Sequence, residues 1–320
     1  MSEQRYFVTG GLGFIGAWVV RNLVEAGALT TVFDISGDSR RLRPLLSDDE
    51  LAQVHFVAGD ITDPAVVEVA VRDSGASHII HLAGLQIPFC KADPVLGARV
   101  NVVGTVNVFG AARQAGLHRV VYASSTAVYG PKESYPPGPL APDAPHLPST
   151  LYGVYKQANE GTARIYWQDH GISSIGLRPY VVYGVGRDQG MTSEPTKAML
   201  AAAQGLGHHI GFGGRLDMQY ADDIARMFIQ CTQVPFEGAG VFNPTGSIVH
   251  MSEVVAAIEA AAPEVRGRVT FDDKPLPYPE EMDATPLAQL LGGLTQTPLA
   301  QAVADTIALF RQAIAAGRFS

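Results

Sequence analysis

The chain has 320 residues, 47% hydrophobic and 17% charged, with a formal charge of −8, which is enough for a full core in one large unit or two closely joined ones. It shows no uninterrupted apolar run of bilayer length, no basic n-region leading into an apolar h-region, and no basic stripe beyond Arg40, Arg41 and Arg43, so a membrane span, a secretory leader and a nucleic-acid partner are not expected and a cytoplasmic location is. Cys90 and Cys231 carry neither C-x-x-C spacing nor a histidine cluster; buried fillers are expected, with no disulfide and no metal site.

Taken in chain order, short β-branched runs alternate with helical segments. This pattern belongs to an α/β fold, a doubly wound parallel (Rossmann) sheet with helices on both faces. The expected strands are RYFVTG (5–10), LTTVFD (29–34), VHFVAGD (54–60), SHIIHLAG (77–84), RVVYASS (119–125) and SSIGLRPYVVYG (173–184). Between the first two, Val19, Val20, Leu23 and Val24 share one helical face, and Gly27 closes the helix. Further helices are expected near 93–115 and 150–170. Six prolines between Pro136 and Pro148 mark an exposed irregular loop. Beyond Gly184 the pattern loosens, with helices around 195–205, 222–231, 251–262 and 298–316. The expected organisation is a dinucleotide-binding Rossmann domain over 1–180, to which the chain returns at about 217–245, and a substrate-binding lobe made of 181–216 and 246–320.

The stretch VTGGLGFIG (8–16) fits two templates. Gly11, Gly13 and Gly16 read as G-x-G-x-x-G, while Gly10, Gly13 and Gly16 read as G-x-x-G-x-x-G. In either register the loop follows a strand and opens a helix, so bare backbone N–H groups and the helix dipole can receive a pyrophosphate. Asp34 ends the next strand, where a carboxylate accepts from adenosine ribose hydroxyls and repels a 2′-phosphate. NAD is therefore the expected cofactor, with Arg40 and Arg41 close enough in sequence to leave NADP open. Asp60, at another strand end, can accept from the adenine amino group, and GDITDP is equally an Asx turn with Asp63 capping a helix.

In LYGVYK, Tyr152 and Lys156 stand four apart on one helix face, where an ammonium favours the phenolate of a general base. Tyr155 points to another side. Ser124, Ser125 and Thr126 follow the fifth strand at its carboxyl end, where a hydroxyl can hold a substrate oxygen or simply satisfy a serine-rich turn.

TGGLGFIG, GDITD, HLAG, NVVGTVNV, SSTAVYG and LYGVYKQANE, in that order over about residues 5–185, resemble the motif series of the extended short-chain dehydrogenase/reductases, the NAD-dependent epimerase/dehydratase family. LDMQYADDIA resembles a later motif more weakly. The resemblance implies the G-x-x-G-x-x-G register, with Gly10, Gly13, Phe14, Ile15 and Gly16 on the cofactor. Asp34, Asp60, Ile61, Leu82, Ala83, Gly84, Asn101, Ser124 and Pro179 would line it as well, together with Tyr152 and Lys156. Tyr152 would be the acid/base, with Lys156 lowering its pKa and holding the nicotinamide ribose. Ser125 would polarise the reacting carbinol. Thr126, Gln86, Arg187, Gln189 and Thr192 would meet the substrate beside Ser125 and Tyr152. A homodimer formed through the helices near 93–115 and 150–170 is also implied.

The chain departs from the nucleotide-sugar members at two places. Val181 stands where they carry an Asn and Leu216 where they carry an Arg, both directed at the substrate diphosphate. A diphosphate needs charge-assisted donors. The expected activity is thus NAD-dependent removal of hydride from a secondary hydroxyl of a sugar, sugar acid or related polyhydroxy compound. The alternative is a sugar or nucleotide-sugar epimerase (of the UDP-hexose 4-type) using transient oxidation. A non-catalytic NAD sensor is the third reading, disfavoured by the intact Tyr–Lys pair.

Overall fold

A computed structural model describes residues 4–319. The chain runs β1 (Arg5–Thr9), α1 (Phe14–Glu25), β2 (Leu29–Asp34), α2 (Asp48–Leu51), β3 (Val54–Ala58), α3 (Pro64–Ser74) and β4 (His78–His81). It continues through α4 (Ile87–Ala92), α5 (Pro94–Ala98), a π-helical turn (Arg99–Val103), α6 (Gly104–Gln114), β5 (Arg119–Ala123), α7 (Leu151–His170) and β6 (Ser173–Leu177). The remainder is β7 (Val181–Tyr183), α8 (Glu194–Ala203), β8 (His208–Ile210), β9 (Arg215–Tyr220), α9 (Ala221–Gln233), β10 (Ala239–Phe242), β11 (Ser247–His250), α10 (Met251–Ala261), β12 (Val269–Phe271), α11 (Thr285–Leu291) and α12 (Leu299–Ala315).

Seven strands form one sheet in the order β10-β6-β5-β4-β1-β2-β3, and every pairing within it is parallel. Alternation along each strand builds two cores. Tyr6, Val8, Ile80 and Val121 face α1 and α9, while Phe7, Ile79, Val120 and Tyr122 face α3, α6 and α7. The fold is a doubly wound Rossmann sheet. Its strand order reverses between β1 and β4, and a crevice opens there at the carboxyl ends of the strands.

Helix α1 buries Trp18, Val19, Val20, Leu23 and Val24. It ends where Gly27, at φ +71°, lets its own N–H reach Val24 O and that of Ala28 reach Leu23 O, the expected glycine stop. Trp18 is fully buried, donates from Nε1 to Val185 O at 2.9 Å and meets Tyr220 edge-on at 5.5 Å. It thereby ties α1 to the strands beyond Gly184.

Four features differ from the sequence expectation. The strand read as 173–184 is two strands: β6 pairs with β5 and β10, while β7 leaves for a separate sheet with β9 and β11. Pro179 lies at the break, where it offers no N–H to a ladder. The helix near 93–115 is interrupted by the π turn at Arg99–Val103. The proline-rich loop is exposed at Pro136, Pro137, Pro139 and Pro145 as expected, but is anchored in its middle, where Leu140 is buried and bridges to Met282 and Pro142 O accepts from the buried Arg178. Finally, Pro94–Gln114, 21 residues that include an 18-residue stretch of mean hydropathy 1.3, is long and apolar enough by composition to cross a bilayer. Arg99 and Asn101 interrupt its apolar run, and its inner face is closed against α3 and α7. Cys90 and Cys231 are buried free thiols, as expected.

Replacing Trp18 by Ala removes this contact and strands the Val185 carbonyl. Urea denaturation should show a loss of about 3–5 kcal/mol, and a loss below about 1 kcal/mol would remove Trp18 from its joining role.

Candidate active site

A cavity of about 500 Å³ opens at the carboxyl edge of the sheet. Its floor is the turn between β1 and α1. Gly10 has φ +68°, and a Cβ there would lie 2.6 Å from Ala83 N; a Cβ on Gly16 would lie 2.1 Å from Gly10 O. The bare turn lets a ligand approach the N-terminus of α1, which carries no side-chain cap, so its first N–H groups have no side-chain acceptor. Asp34 Oδ2 accepts from Leu12 N at 3.1 Å and Oδ1 from Ser36 N at 3.3 Å, so the carboxylate is fixed beside the glycine turn. This cradle and its acid fit a dinucleotide.

One wall is organised by a directed hydrogen-bond chain. Thr105 Oγ1 donates to Asn101 O at 2.7 Å, so it must accept from His81 Nε2 at 3.0 Å. His81 Nδ1 then accepts from Thr9 Oγ1 at 2.7 Å, and Thr9 Oγ1 accepts from Ala83 N at 3.3 Å. The chain requires a neutral imidazole. Burial, with Lys156 nearby, brings His81 down to about 3, so it is neutral at physiological pH. Asn101 sits in the π turn, where its amide donates to Gly97 O at 2.9 Å and Leu85 O at 3.2 Å. Its Oδ1 is buried without a partner and lies 2.7 Å from where a Gly84 Cβ would be.

Across the cavity, the Thr150 side chain caps α7 by accepting from Gly153 N, and the helix presents Tyr152, Lys156 and Glu160 on one face. Lys156 Nζ donates to Ala123 O at 2.8 Å and lies 5.6 Å from the centroid of the Tyr152 ring. Burial brings the Lys156 ammonium down to about 8. Burial pushes the Tyr152 phenol upward; a hydrogen bond from Ser125 and the Arg187 guanidinium pull it back. The Lys156 ammonium thus lies beside the Tyr152 ring while it donates to the β5 carbonyl.

Ser125 Oγ accepts from Ala127 N at 3.1 Å and stays in the cavity wall. Ser124 turns the other way. Its hydroxyl donates to Glu160, whose carboxylate receives Arg178 through Nε at 2.8 Å and Nη2 at 2.7 Å. Arg178 also reaches Tyr129 OH and Pro142 O, and Tyr129 OH donates to Asn243 Oδ1 at 3.0 Å.

The cavity brings together Gly10, Gly13, Phe14, Ile15, Gly16, Leu82, Gly84, Gln86, Ser124, Ser125, Thr126, Tyr152, Lys156, Pro179, Arg187 and Thr192. Asp34, Asp60, Ile61, Ala83, Asn101 and Gln189 lie outside its lining. Asp60 Oδ1 accepts from Thr62 N at 2.9 Å, which is the Asx turn. Ile61 is buried against Gly104, and its carbonyl accepts from Asn107 at 2.9 Å. Sequence reasoning missed Ile87, Pro88, Tyr180, Met191 and Tyr278 in the wall and the Glu160–Arg178 pair behind it. The KQANE of the α7 motif held the only signal for Glu160, four residues after Lys156.

Residues 6–243 match the NAD dependent epimerase/dehydratase family. The chain belongs to this family. NAD is the cofactor, and the protein is an enzyme of the extended short-chain dehydrogenase/reductase type. It is 30% identical to the UDP-glucose 4-epimerase of Mycolicibacterium smegmatis, over 96% of this chain and 99% of that one. With the UDP-glucose 4-epimerase of Azospirillum brasilense it shares 33% identity over 64% of this chain, which spans 58% of that relative. Among solved structures, the Thermus thermophilus UDP-glucose 4-epimerase complex with NAD is 27% identical at TM-score 0.80, covering 97% of this chain and 100% of that one. An L-threonine dehydrogenase from Clostridium difficile, 19% identical over 98% of this chain and 99% of that one, shares the fold at TM-score 0.86.

Glu160→Gln should strand the Arg178 charge in the interior and cost about 3–5 kcal/mol. Chemical denaturation of the variant measures this, and unchanged stability would mean that other acceptors suffice for Arg178.

Proposed function

We propose that the protein is an NAD-dependent dehydrogenase that takes hydride from a secondary hydroxyl of a polyhydroxy acid, a sugar acid without a nucleotide handle. The observation that carries this reading is the burial of the two positions where nucleotide-sugar members hold a diphosphate. Val181 in β7 and Leu216 in β9 are both fully buried in the hydrophobic core, so neither offers a donor to the cavity. The charge available there is Arg187. Its Nη2 donates to Thr192 Oγ1 at 2.9 Å, its Nε is buried without a partner, and it packs 5.7 Å from the Phe14 ring. A half-buried guanidinium in the cavity wall favours a carboxylate.

In this reading NAD, when bound, would supply the acceptor for the hydride. Tyr152 takes the hydroxyl proton, Ser125 donates a hydrogen bond to the developing ketone oxygen, and Lys156 offers its two remaining N–H donors to the nicotinamide ribose. Gln86, Thr126 and Thr192 orient the hydroxyls, and Arg187 takes the acid group, while Gln189 lies outside the lining and does not share this role. The strand ends and the glycine turn serve as the cofactor side, with Asp34 on the ribose and Asp60 and Ile61 at the adenine end. The segments around β7, β8, β9, β11 and α8 form the substrate lobe.

A second reading, epimerisation with transient oxidation, is favoured by the full-length likeness to a UDP-glucose 4-epimerase. Mixing the protein and NAD⁺ with a pool of free sugars, sugar acids and polyols, and separately with nucleotide sugars, decides between them. Stoichiometric NADH from the first pool is expected, confined to its acids. Conversion in the second pool without NADH would overturn the dehydrogenase reading. Tyr152→Phe should lower kcat by at least about 10²-fold with NAD binding kept; Arg187→Leu should raise KM for an acid more than for a neutral polyol. Because burial raises the phenol, oxidation should quicken as pH rises through the phenol's titration, and a flat profile would exclude Tyr152 as the base.

The exposed Val95, Leu96, Val103, Val106, Leu151, Val154 and Ile165 lie along α5, the π turn, α6 and α7. They support a homodimer through these helices. Sedimentation should give twice the chain mass, and Val106→Glu with Val154→Glu should halve it.

A further inference from the structure

Arg40 and Arg41, on the segment that follows β2 and Asp34, are already engaged by a carboxylate from the loop after β7. Arg41 donates from Nη1 to Leu12 O at 3.3 Å, from Nε to Gly186 O at 3.1 Å and from Nη2 to both Asp188 oxygens at 2.8 and 3.0 Å. Arg40 Nη2 reaches Asp188 Oδ2 at 3.3 Å, and its Nε lies 3.5 Å from Asp38 Oδ2. Leu12 N is held by Asp34 Oδ2 at 3.1 Å. Arg41 and Asp34 therefore meet on the two sides of one residue in the glycine turn.

We propose that Asp188 is a specificity-determining residue that keeps the enzyme on NAD by occupying Arg40 and Arg41. NADP differs from NAD by a phosphate on the adenosine ribose, the group Asp34 would otherwise meet as a hydroxyl. An incoming phosphate needs guanidinium donors to offset Asp34. Here Asp188 takes the Nη2 groups of both Arg40 and Arg41, so these donors are spent on a carboxylate already in place. Removing the Asp188 charge weakens that hold and leaves both guanidinium groups freer to meet a phosphate. Asp34 by itself gives a preference for the hydroxyl, and Asp188 withholds the compensation that Arg40 and Arg41 would offer.

The test is binding, with no substrate present. Purified wild type and Asp188→Asn are titrated with NADPH and NADH by nucleotide fluorescence at two salt concentrations. The variant should bind NADPH about tenfold more tightly, with the NADH Kd changed by less than about twofold and the gain shrinking as salt screens the released charges. Adding Arg41→Leu to Asp188→Asn should abolish the gain. An unchanged ratio of NADPH to NADH affinity, a gain that survives Arg41→Leu, or equal weakening of both nucleotides, the mark of a merely structural strap, would each overturn the assignment. Since the readout needs no turnover, its failure leaves the identity of the hydroxy acid untouched.

Discussion

The site depends on a pair of charges taken out of water behind it. Glu160 and Arg178 are both nearly inaccessible, and Arg178 binds the carboxylate through two nitrogens. Ion burial is costly unless every lone pair and donor is used. Here they are used by Ser124, Tyr129, Pro142 and His146. Those partners come from the end of β5, the turn after it and the proline-rich loop. The demand of two buried charges for partners thus ties three segments that share no regular pairing to α7, which carries Glu160, and to the end of β6, which carries Arg178. Ser124 is turned inward by this demand, which leaves Ser125 facing the cavity.

A second constraint acts at the opposite wall. The approach of β1, the first turn of α1 and the end of β4 leaves no room for Cβ atoms at Gly10 and Gly16. The same closeness sets Ala83 N within reach of Thr9 Oγ1, which begins the chain through His81 and Thr105 to Asn101. Since each hydroxyl has one proton, the acceptor Asn101 O and a neutral His81 imidazole together set the direction of the bonds in it. The chain reaches the π turn, and π turns recur at functional sites. Rigid backbone on one side and a satisfied ion pair on the other hold the cavity open between them.

The loop side of the cavity is built differently. Arg187, Gly190 and Thr192 lie on a loop whose ties run to the glycine turn through Arg41 and to the core through Trp18 and Val185. The glycine turn and this loop are therefore tied together by a side chain from the segment after β2.

Much of this was legible in the sequence, because it rests on local rules. Alternating apolar residues, a glycine turn between strand and helix, and a tyrosine and lysine one helical turn apart each follow from backbone geometry over a few residues. Their order along the chain carried the family and the cofactor. The break at Pro179, which sends β7 into another sheet, was not legible, because RPYVVYG has strand character on both sides and pairing partners decide which sheet each half joins. Nor was the inward turn of Ser124. It depends on a contact between residues 36 positions apart, where burial and the need to pair buried charges choose among side-chain directions that local sequence leaves equal. The sequence by itself determined the α/β fold, the dinucleotide turn and the residue types at the strand ends. Only the tertiary structure decided which of those polar groups face the cavity and which are consumed in holding it, because a hydrogen bond is available to a ligand only when no protein group has already taken it.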